Sequence, residues 1–220
     1  MGRLQAASGL PFDPRDEAVV LDELAGTPRA FGVGVTALMQ GSAAPGLFVV
    51  TEGVLREGAV SDLGRWFVHE LLGPGQVFGS LDPAPSPVTV RAARPARAVL
   101  VTLDDVDELW RGRRRVARWL VRAQERRLLD ARAIVHELAW LDVADRVRRR
   151  LERLAEVHGH PVPGGVRIDA PLTQEELAAM VGATRESVNR AVVAMVAQRR
   201  LRLEGRRYVL RPSLASVGEP

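Results

Sequence analysis

Apolar residues change their spacing along the chain, and this change separates two kinds of structure. Between about residues 31 and 103, short apolar runs such as FGVGV, GLFVV and RAVLVTL are separated by Gly and Pro. Repeated short runs of this kind are typical of an antiparallel β-sandwich or barrel. From Asp104 onward, apolar residues recur every three or four positions, which is the helical period. The pattern therefore predicts an α+β chain with an N-terminal β-domain.

The helical part is predicted to contain one long helix with a narrow apolar seam. A short helix is expected at residues 15–25, and another runs from a cap at Asp104-Asp105 to Trp110. The long helix then extends from about Arg113 to Leu138. Its seam alternates at spacings of four and three, as in a coiled coil, and comprises Ala117, Val121, Gln124, Leu128, Ala131, Val135 and Leu138. This seam predicts a homodimer interface, and packing on the chain's own β-domain is the alternative.

Beyond the long helix, Asp142 is a candidate N-cap for a helix predicted over Val143–Val157, and Gly159 to Gly165 is predicted to be a loop. Two short helices joined by a tight turn are predicted between Pro171 and Arg200. The sequence Thr-x-x-Glu at the start of the first helix is a capping box. A Gly suited to the left-handed conformation ends this helix, and a second Thr caps the next. The arrangement is typical of a helix-turn-helix.

Polar residues in the first turns of the second helix have side chains that can read DNA bases. At 100° per residue, they lie opposite the apolar face, and they are Arg185, Glu186, Asn189 and Arg190. Arg can bond guanine in bidentate fashion, and Glu can accept from the cytosine amine. Recognition helices present these N-terminal turns to the major groove. A solvated face with a Glu186–Arg190 ion pair is the alternative.

A two-stranded hairpin is predicted at Leu201–Leu210, with its turn at Glu204-Gly205. As a wing beside the recognition helix, it would bring Arg206 and Arg207 near the DNA phosphates. A purely structural hairpin edge accounts for these two arginines equally well.

Charge is distributed unevenly between the two halves of the chain. Lysine is absent, and residues 1–110 hold 8 Arg and 14 acidic residues, whereas residues 111–220 hold 23 Arg and 13 acidic residues. The resulting net charges of −6 and +10 suggest a C-terminal half that binds nucleic acid and an N-terminal half that does not. Cysteine is absent, which excludes disulfides, thiolate zinc sites and cysteine-ligated iron–sulfur clusters.

Neither a membrane span nor a signal peptide is expected, so the protein is predicted to be cytoplasmic. The histidines offer no metal site of their own. His158 and His160 supply two ligands in a Pro/Gly-rich loop, and His69 or His136 could ligate haem, but a structural role is favoured for each.

The order of these segments resembles the CRP/FNR family of transcription regulators. The resemblance covers nearly the whole chain and is strongest over residues 141–211, with the motifs Leu141-Asp142-Val143, Thr173-x-x-Glu176 and Val181-Gly182-x-Thr184-Arg185-Glu186-x-Val188-x-Arg190. It implies that Arg185, Glu186 and Arg190 read a TGTGA-like half-site within a symmetric dimer. The implied DNA-binding set is completed by Thr173, Thr184, Ser187 and Asn189, with the two threonines at the DNA backbone.

The effector pocket of the family is matched less well. Members that bind cyclic nucleotides carry Phe-Gly-Glu-Leu, whose Glu holds the ribose, and then an Arg-Ser/Thr pair, whose Arg neutralises the cyclic phosphate. Here the corresponding residues are Phe78-Gly79-Ser80-Leu81 and Ser86-Pro87, and a hydroxyl pair on the long helix is replaced by Ala131 and Arg132. Because Glu and Arg are both missing, we expect no cofactor, an unknown effector and no control by cAMP.

We therefore expect a jelly-roll β-barrel resembling cyclic-nucleotide-binding domains over residues 1–110, a dimerisation helix over 111–140 and a winged helix-turn-helix over 141–220. The expected partners are double-stranded DNA, a second copy of the chain and, for an activator, RNA polymerase. One alternative is a regulator that responds to cAMP or another small ligand through an atypical pocket. Another is a metal-dependent cupin-like enzyme fused to a DNA-binding domain, although His69 is the one histidine between residues 31 and 103.

Overall fold

The computed structural model describes residues 23–24, 26–60, 62, 66–169, 172–205 and 207–211. It divides into two compact units, Met1–Ala59 with Leu72–His136 and Val60–Leu71 with Glu137–Pro220. The helix predicted at residues 15–25 falls outside the described residues, apart from Glu23 and Leu24. The assignment of Val60–Leu71 to the second unit was not indicated by the sequence pattern.

Short strands dominate the N-terminal half, as the apolar runs predict. In chain order they are β1 (Thr27–Phe31), β2 (Thr36–Leu38), β3 (Leu47–Glu52), β4 (Leu55–Val60), β5 (Trp66–Leu72), β6 (Val77–Gly79), β7 (Thr89–Ala92) and β8 (Ala96–Val101). One antiparallel sheet has the order β1-β8-β3-β6, and in another β2, β7 and β4 are neighbours in that order. Within the described residues, the sheets form a jelly-roll-like arrangement and not the closed barrel that the sequence predicts.

Strand β3 is buried on both faces because sheet residues alternate between two hydrophobic clusters. Phe48 and Val50 belong to a cluster in which the rings of Phe48 and Phe78 stack at 4.7 Å between centroids. Val49 belongs to the other cluster, together with residues from the helices that follow the sheet. Full burial of such side chains contributes about 1.5–3 kcal/mol each, which explains why this strand is a continuous apolar run.

In the described part of the first unit, the sheets are followed by two helices, α1 (Leu103–Gly112) and most of α2 (Arg114–Trp140). The prediction that Asp104-Asp105 caps α1 is corrected, because the N-cap is Thr102. The Thr102 side chain accepts from the Asp105 backbone N–H at 3.3 Å, and the Asp105 carboxylate accepts from the Thr102 N–H at 2.7 Å. Asp105 is therefore the third residue of a capping box rather than the cap itself.

The first turns of α2 pack into the core, which corrects part of the predicted seam. Val116, Trp119 and Leu120 are buried together with Ala117, which is only 2% exposed. Ala117 was predicted in the dimer interface because it fits the heptad spacing. A small apolar residue at this spacing fits a core position equally well, and the sequence gives no sign of which surface covers it.

In the second unit, two pairs of strands along the chain form one small sheet, and helices precede and separate these pairs. Its elements after α2 are α3 (Val143–His158), β9 (Gly159–Val162), β10 (Gly165–Ile168), α4 (Gln174–Val181), α5 (Arg185–Ala197), β11 (Leu201–Glu204) and β12 (Arg207–Leu210). The strands form an antiparallel sheet of order β11-β12-β10-β9. Asp142 caps α3 as predicted, since its side chain accepts from the Asp145 N–H at 2.8 Å.

The loop predicted at Gly159–Gly165 is wrong, because this segment contains strand β9 and the turn to β10. Pro161 of β9 lies opposite Val166 of β10. Gly164 adopts a φ of +80° in the turn between them, which lets the chain reverse sharply. The Gly and Pro residues that signalled a loop therefore form a hairpin.

The helix-turn-helix is confirmed. Thr173 and Glu176 form the capping box of α4, and Gly182 ends it in the left-handed conformation at φ 60° and ψ 48°. The carbonyl of Val181, the last residue of α4, accepts from the Arg146 guanidinium at 2.7 Å. This hydrogen bond links α3 to the turn between α4 and α5, and the sequence pattern did not predict it.

Replacement of Gly182 by Ala should destabilise the second unit by about 1–2 kcal/mol, because an L-residue is strained in the left-handed region. An added Cβ would also lie 2.7 Å from Cδ2 of Leu138, which would have to rotate away. Gly205→Ala is the matched control, since Gly205 has the same φ of 60° and nothing lies within 4 Å of its added Cβ. In urea unfolding followed by circular dichroism, we expect the free energy of unfolding of the control to fall by only about 1 kcal/mol. Equal decreases in the free energy of unfolding for the two variants would show that Leu138 does not constrain the turn.

Candidate nucleic-acid interface

Helix α5 has one face buried in the second unit and the opposite face in solvent. Val188, Ala191, Val192 and Met195 are all at most 6% exposed. Their burial fixes the rotation of the helix. The four residues that the sequence predicts at the DNA are consequently all exposed, and they are Arg185, Glu186, Asn189 and Arg190.

Hydrogen bonds between neighbouring side chains hold this exposed face in order. Arg190 donates from Nη2 to the Ser187 hydroxyl at 2.9 Å, and the Thr184 hydroxyl lies 3.1 Å from the same oxygen. Among the described residues, Arg190 forms no ion pair with Glu186, although their spacing permits one. The Glu186 carboxylate therefore stays available to a cytosine amine, and the Arg190 guanidinium keeps further donors for guanine.

A contact between the two helices of the motif positions Asn189. Gln174, the first residue of α4, donates from Nε2 to the Asn189 Oδ1 at 3.2 Å. These residues are 15 positions apart, and only the helix-turn-helix geometry brings them together. The sequence alone contains no signal for this pair.

Thr173 and Thr184 occupy the N-caps of α4 and α5. The Thr173 side chain accepts from the Glu176 N–H at 3.1 Å, and the Thr184 side chain accepts from the Ser187 N–H at 3.3 Å. Both threonines are exposed at helix N-termini. Backbone N–H groups at such termini are suited to binding a phosphate, so a role for the two threonines at the DNA backbone stays a prediction.

The predicted hairpin is confirmed as β11 and β12, with Gly205 in its turn, and its role as a wing beside DNA stays a prediction. Arg206 lies outside the described residues. Arg207 is half exposed, and its Nη1 lies 3.8 Å from the Asp169 carboxylate. Asp169 is held mainly by Arg167, whose Nε donates at 2.7 Å. This hydrogen bond lowers the pKa of Asp169 below its usual value, so the carboxylate offsets part of the positive charge of the wing.

The long helix α2 exposes the apolar row that the heptad pattern predicts beyond Ala117. The exposed fractions are 55% for Val121, 52% for Leu128, 67% for Val135 and 48% for Leu138. Ala131 is also exposed, and Gln124 is half buried. Large apolar side chains in a continuous exposed row mark an interaction surface.

In the predicted effector pocket, Ser80 and Ser86 form hydrogen bonds with residues two positions further along the chain. The Ser80 hydroxyl accepts from the Asp82 N–H at 2.9 Å, and Gly79 has a φ of 89°, with no room for a Cβ beside the Gly46 carbonyl. Ser86 is buried, and its hydroxyl donates to the Val88 carbonyl at 2.8 Å. Leu81 is half buried, while Pro87, Ala131 and Arg132 are exposed.

The first unit contains a buried ion pair that the sequence pattern did not predict. Glu57 of β4 is 5% exposed, and both of its carboxylate oxygens accept from Nη2 of Arg127, at 2.6 and 2.5 Å. Nη1 of Arg127 also donates to the Val77 carbonyl of β6. A signal was present, because Glu57 follows the buried Leu55 by two positions and so lies on the same face of its strand.

The histidines have separate surroundings in the described parts of the chain. Nε2 of the buried His158 lies 3.0 Å from the Leu71 carbonyl, and Nδ1 of the exposed His160 lies 3.5 Å from the Asp169 carboxylate. His69 and His136 have exposed side chains. Within the described residues, no three metal-ligating side chains come together, and no helix is long and apolar enough to cross a membrane.

Two family models match the chain. Residues 28–113 match the cyclic nucleotide-binding domain, and residues 145–214 match the Crp-like helix-turn-helix domain. A CRP-like cAMP-activated global transcriptional regulator from Mycobacterium tuberculosis is 31% identical over 189 residues, which cover 84% of each chain. The cAMP-activated global transcriptional regulator CRP of Haemophilus influenzae is 26% identical over 182 residues, which cover 80% of each.

Solved structures show the same fold. A CRP/FNR-family transcriptional regulator from Thermus thermophilus superposes with a TM-score of 0.69 at 25% identity, over 84% of this chain and 93% of its own. FixK2 from Bradyrhizobium japonicum superposes with a TM-score of 0.72 at 22% identity, over 86% and 94%. The chain belongs to the CRP/FNR family. It is a transcription regulator with a DNA-binding helix-turn-helix, and not an enzyme.

Proposed function

We propose that this regulator binds a palindromic, TGTGA-like DNA site as a homodimer and that cAMP does not control it. The observation that carries the proposal is the exposed face of α5, where Arg185, Glu186 and Arg190 stand in the first turns of a capped helix. The same three residue types at the same spacing read such half-sites in the family that the chain resembles.

Each of the three side chains has the chemistry to contact a base edge in the major groove. Arg185 and Arg190 supply bidentate donors for the O6 and N7 of guanine, and Glu186 accepts from the N4 of cytosine. Ser187 supports Arg190 through the hydrogen bond between them, and Asn189 is the fourth exposed side chain that we assign to the DNA contact. The N-termini of both helices, at Thr173 and Thr184, face phosphates in this arrangement.

Dimerisation is supported by the exposed row on α2. Val121, Leu128 and Val135 follow one another at intervals of seven residues and are each more than half exposed. A second copy of the same helix buries such a row in a coiled coil. A two-fold dimer then presents two recognition helices about one turn of DNA apart, ~34 Å centre to centre, which accounts for a palindromic site.

The absence of cAMP control is proposed from the pocket residues. The Mycobacterium tuberculosis relative is described as cAMP-activated, so membership of the family does not by itself decide this point. In this chain Ser80 and Ser86 stand where cyclic-nucleotide-binding members have Glu and Arg, and their hydroxyls hold local turns. A cyclic phosphate without an Arg partner loses a charge-assisted contact worth about 1.5–3 kcal/mol. A regulator that responds to cAMP or another ligand through an atypical pocket is the competing proposal.

The remaining partners and the location follow from the same role. We propose that the protein acts in the cytoplasm and that it contacts RNA polymerase if it activates transcription. The basic C-terminal half, with 23 Arg against 13 acidic residues, favours binding to the DNA backbone and predicts an affinity that falls as salt concentration rises.

Arg185→Ala and Arg190→Ala should each weaken binding to a TGTGA-type palindrome by about 1–3 kcal/mol per half-site and relax base preference at one position. Fluorescence anisotropy at fixed salt measures the affinity, and selection from duplexes randomised in the half-site measures the preference. Arg111→Ala is the control, because it removes the same charge from an exposed residue of α1. The assignment is wrong if both recognition-helix variants keep the affinity and base preference of the unmodified protein.

Leu128→Glu should convert the dimer into a monomer and reduce DNA affinity, because the seam would then bring two like charges together in an apolar interface. Sedimentation equilibrium measures the change in mass. Arg122→Glu, which introduces the same residue at an exposed position of the same helix outside the seam, should leave the dimer intact. A dimeric Leu128→Glu protein, or a monomeric unmodified one, would place the interface elsewhere.

Isothermal titration calorimetry should show no binding of cAMP or cGMP at micromolar concentration. The physical reason is the missing cationic partner for the cyclic phosphate. The Ser86→Arg variant tests that reason directly, since it restores a guanidinium at the position of the missing Arg. Micromolar binding of cAMP to the unmodified protein would favour the atypical-pocket alternative.

A further inference from the structure

We propose that Arg127 forms an anion-binding site in the first unit and that Glu57 fills it as a built-in carboxylate ligand. The pair then holds the long helix in position without an external effector. This inference rests on the proposed function, because its main readout is DNA binding. It goes beyond that function by assigning to two residues of this chain the role that a bound effector would otherwise have.

The position of Glu57 is unusual for a carboxylate. It shares a strand face with Leu55, which is 0% exposed and belongs to the hydrophobic cluster around Phe48 and Phe78. Burial of an ionised carboxylate among apolar side chains is strongly unfavourable unless it is paired and hydrogen-bonded. Its retention on the buried face of β4 therefore depends on Arg127.

Arg127 meets this requirement and adds a second contact. Its Nη2 donates to both oxygens of Glu57, and its Nη1 donates to the backbone carbonyl of Val77. The guanidinium thus joins α2 to β4 and to β6, the strand that leads into Ser80. The Arg127 side chain is 32% exposed, compared with 7% for that of Glu57, so a small anion can reach the site if the carboxylate is removed.

This geometry leaves Arg127 with no free charge for an external anion. A negatively charged ligand at the guanidinium would have to displace Glu57 or lie beside a like charge at close range, which is unfavourable at low dielectric. The class of ligand that the site accepts is a small carboxylate, and the chain provides it internally.

The contact also fixes the face that α2 turns outwards. Arg127 immediately precedes Leu128, and adjacent helical residues point about 100° apart. With Arg127 held against the sheet, Leu128 is 52% exposed and belongs to the row proposed for dimerisation. Loss of the pair releases α2 over this segment, so the seam and the spacing of the two recognition helices become less well defined.

The test uses Glu57→Ala in the full chain with acetate as the probe. This substitution removes the CH₂–COO⁻ group, and acetate supplies a group of the same size and charge. In anisotropy assays on the palindrome, we expect Glu57→Ala to weaken DNA binding about tenfold or more. Sodium acetate should restore most of the affinity, whereas sodium chloride at equal ionic strength and neutral acetamide should not.

Two further variants separate an anion site from general destabilisation. Glu57→Gln fills the same volume without the charge, so we expect a similar loss of affinity that acetate does not reverse. The Glu57→Ala/Arg127→Ala double variant lacks the guanidinium and should also be insensitive to acetate. The thermal unfolding midpoint of Glu57→Ala should rise with acetate and not with acetamide.

The outcomes distinguish this inference from the proposed function. If the unmodified protein binds the palindrome and Glu57→Ala binds it equally well, or loses affinity without an acetate effect, the inference is wrong and the function stands. If the unmodified protein does not bind the palindrome, the proposed function fails. The acetate-dependent midpoint of Glu57→Ala then still decides whether Arg127 is an anion site.

Discussion

The rotation of α2 about its own axis is set by what the helix buries, and the dimer interface that we propose for this helix depends on that rotation. Val116, Trp119 and Leu120 pack into the core of the first unit through the initial turns. Further along, the ion pair of Arg127 with Glu57 holds the same side of the helix against the sheet. The apolar row that begins at Val121 is thereby directed outwards. Without this constraint, a helix rich in arginine and alanine would have no defined face to offer a second copy.

In the second unit, helix capping and packing together determine which face of α5 is exposed. Caps at Thr173 and Thr184 and the left-handed Gly182 determine where α4 and α5 begin and where α4 ends. Burial of one face of α5 then leaves the opposite face to the solvent. Hydrogen bonds from Arg190 to Ser187 and from Gln174 to Asn189 restrict that face further. In the base contacts that we propose, side chains ordered before binding would lose less conformational entropy.

The first unit has the fold of a cyclic nucleotide-binding domain, but its side chains differ from the family's at the pocket positions. Serines that form hydrogen bonds within turns stand where the family's pocket has its charged Glu and Arg. The Glu57 carboxylate and the Arg127 guanidinium of this chain neutralise each other. A fold specifies where a ligand site can lie, whereas the individual side chains determine whether a ligand binds. The same architecture therefore supports effector-controlled relatives and, in our proposal, a regulator held by its own residues.

Local structure could be predicted from the sequence, whereas contacts between distant segments could not. Capping residues, the turn glycine, the apolar period of α5 and the heptad seam are all encoded within a few residues, so the helix-turn-helix, its exposed Arg185 and Arg190 and the long helix were predicted correctly. Periodicity could not show that Ala117 is covered by its own domain, that Gly159–Val162 pairs as a strand, or that Glu57 and Arg127 meet across 70 residues. Those features depend on which surfaces the tertiary fold brings together, and burial and charge pairing are decided only there.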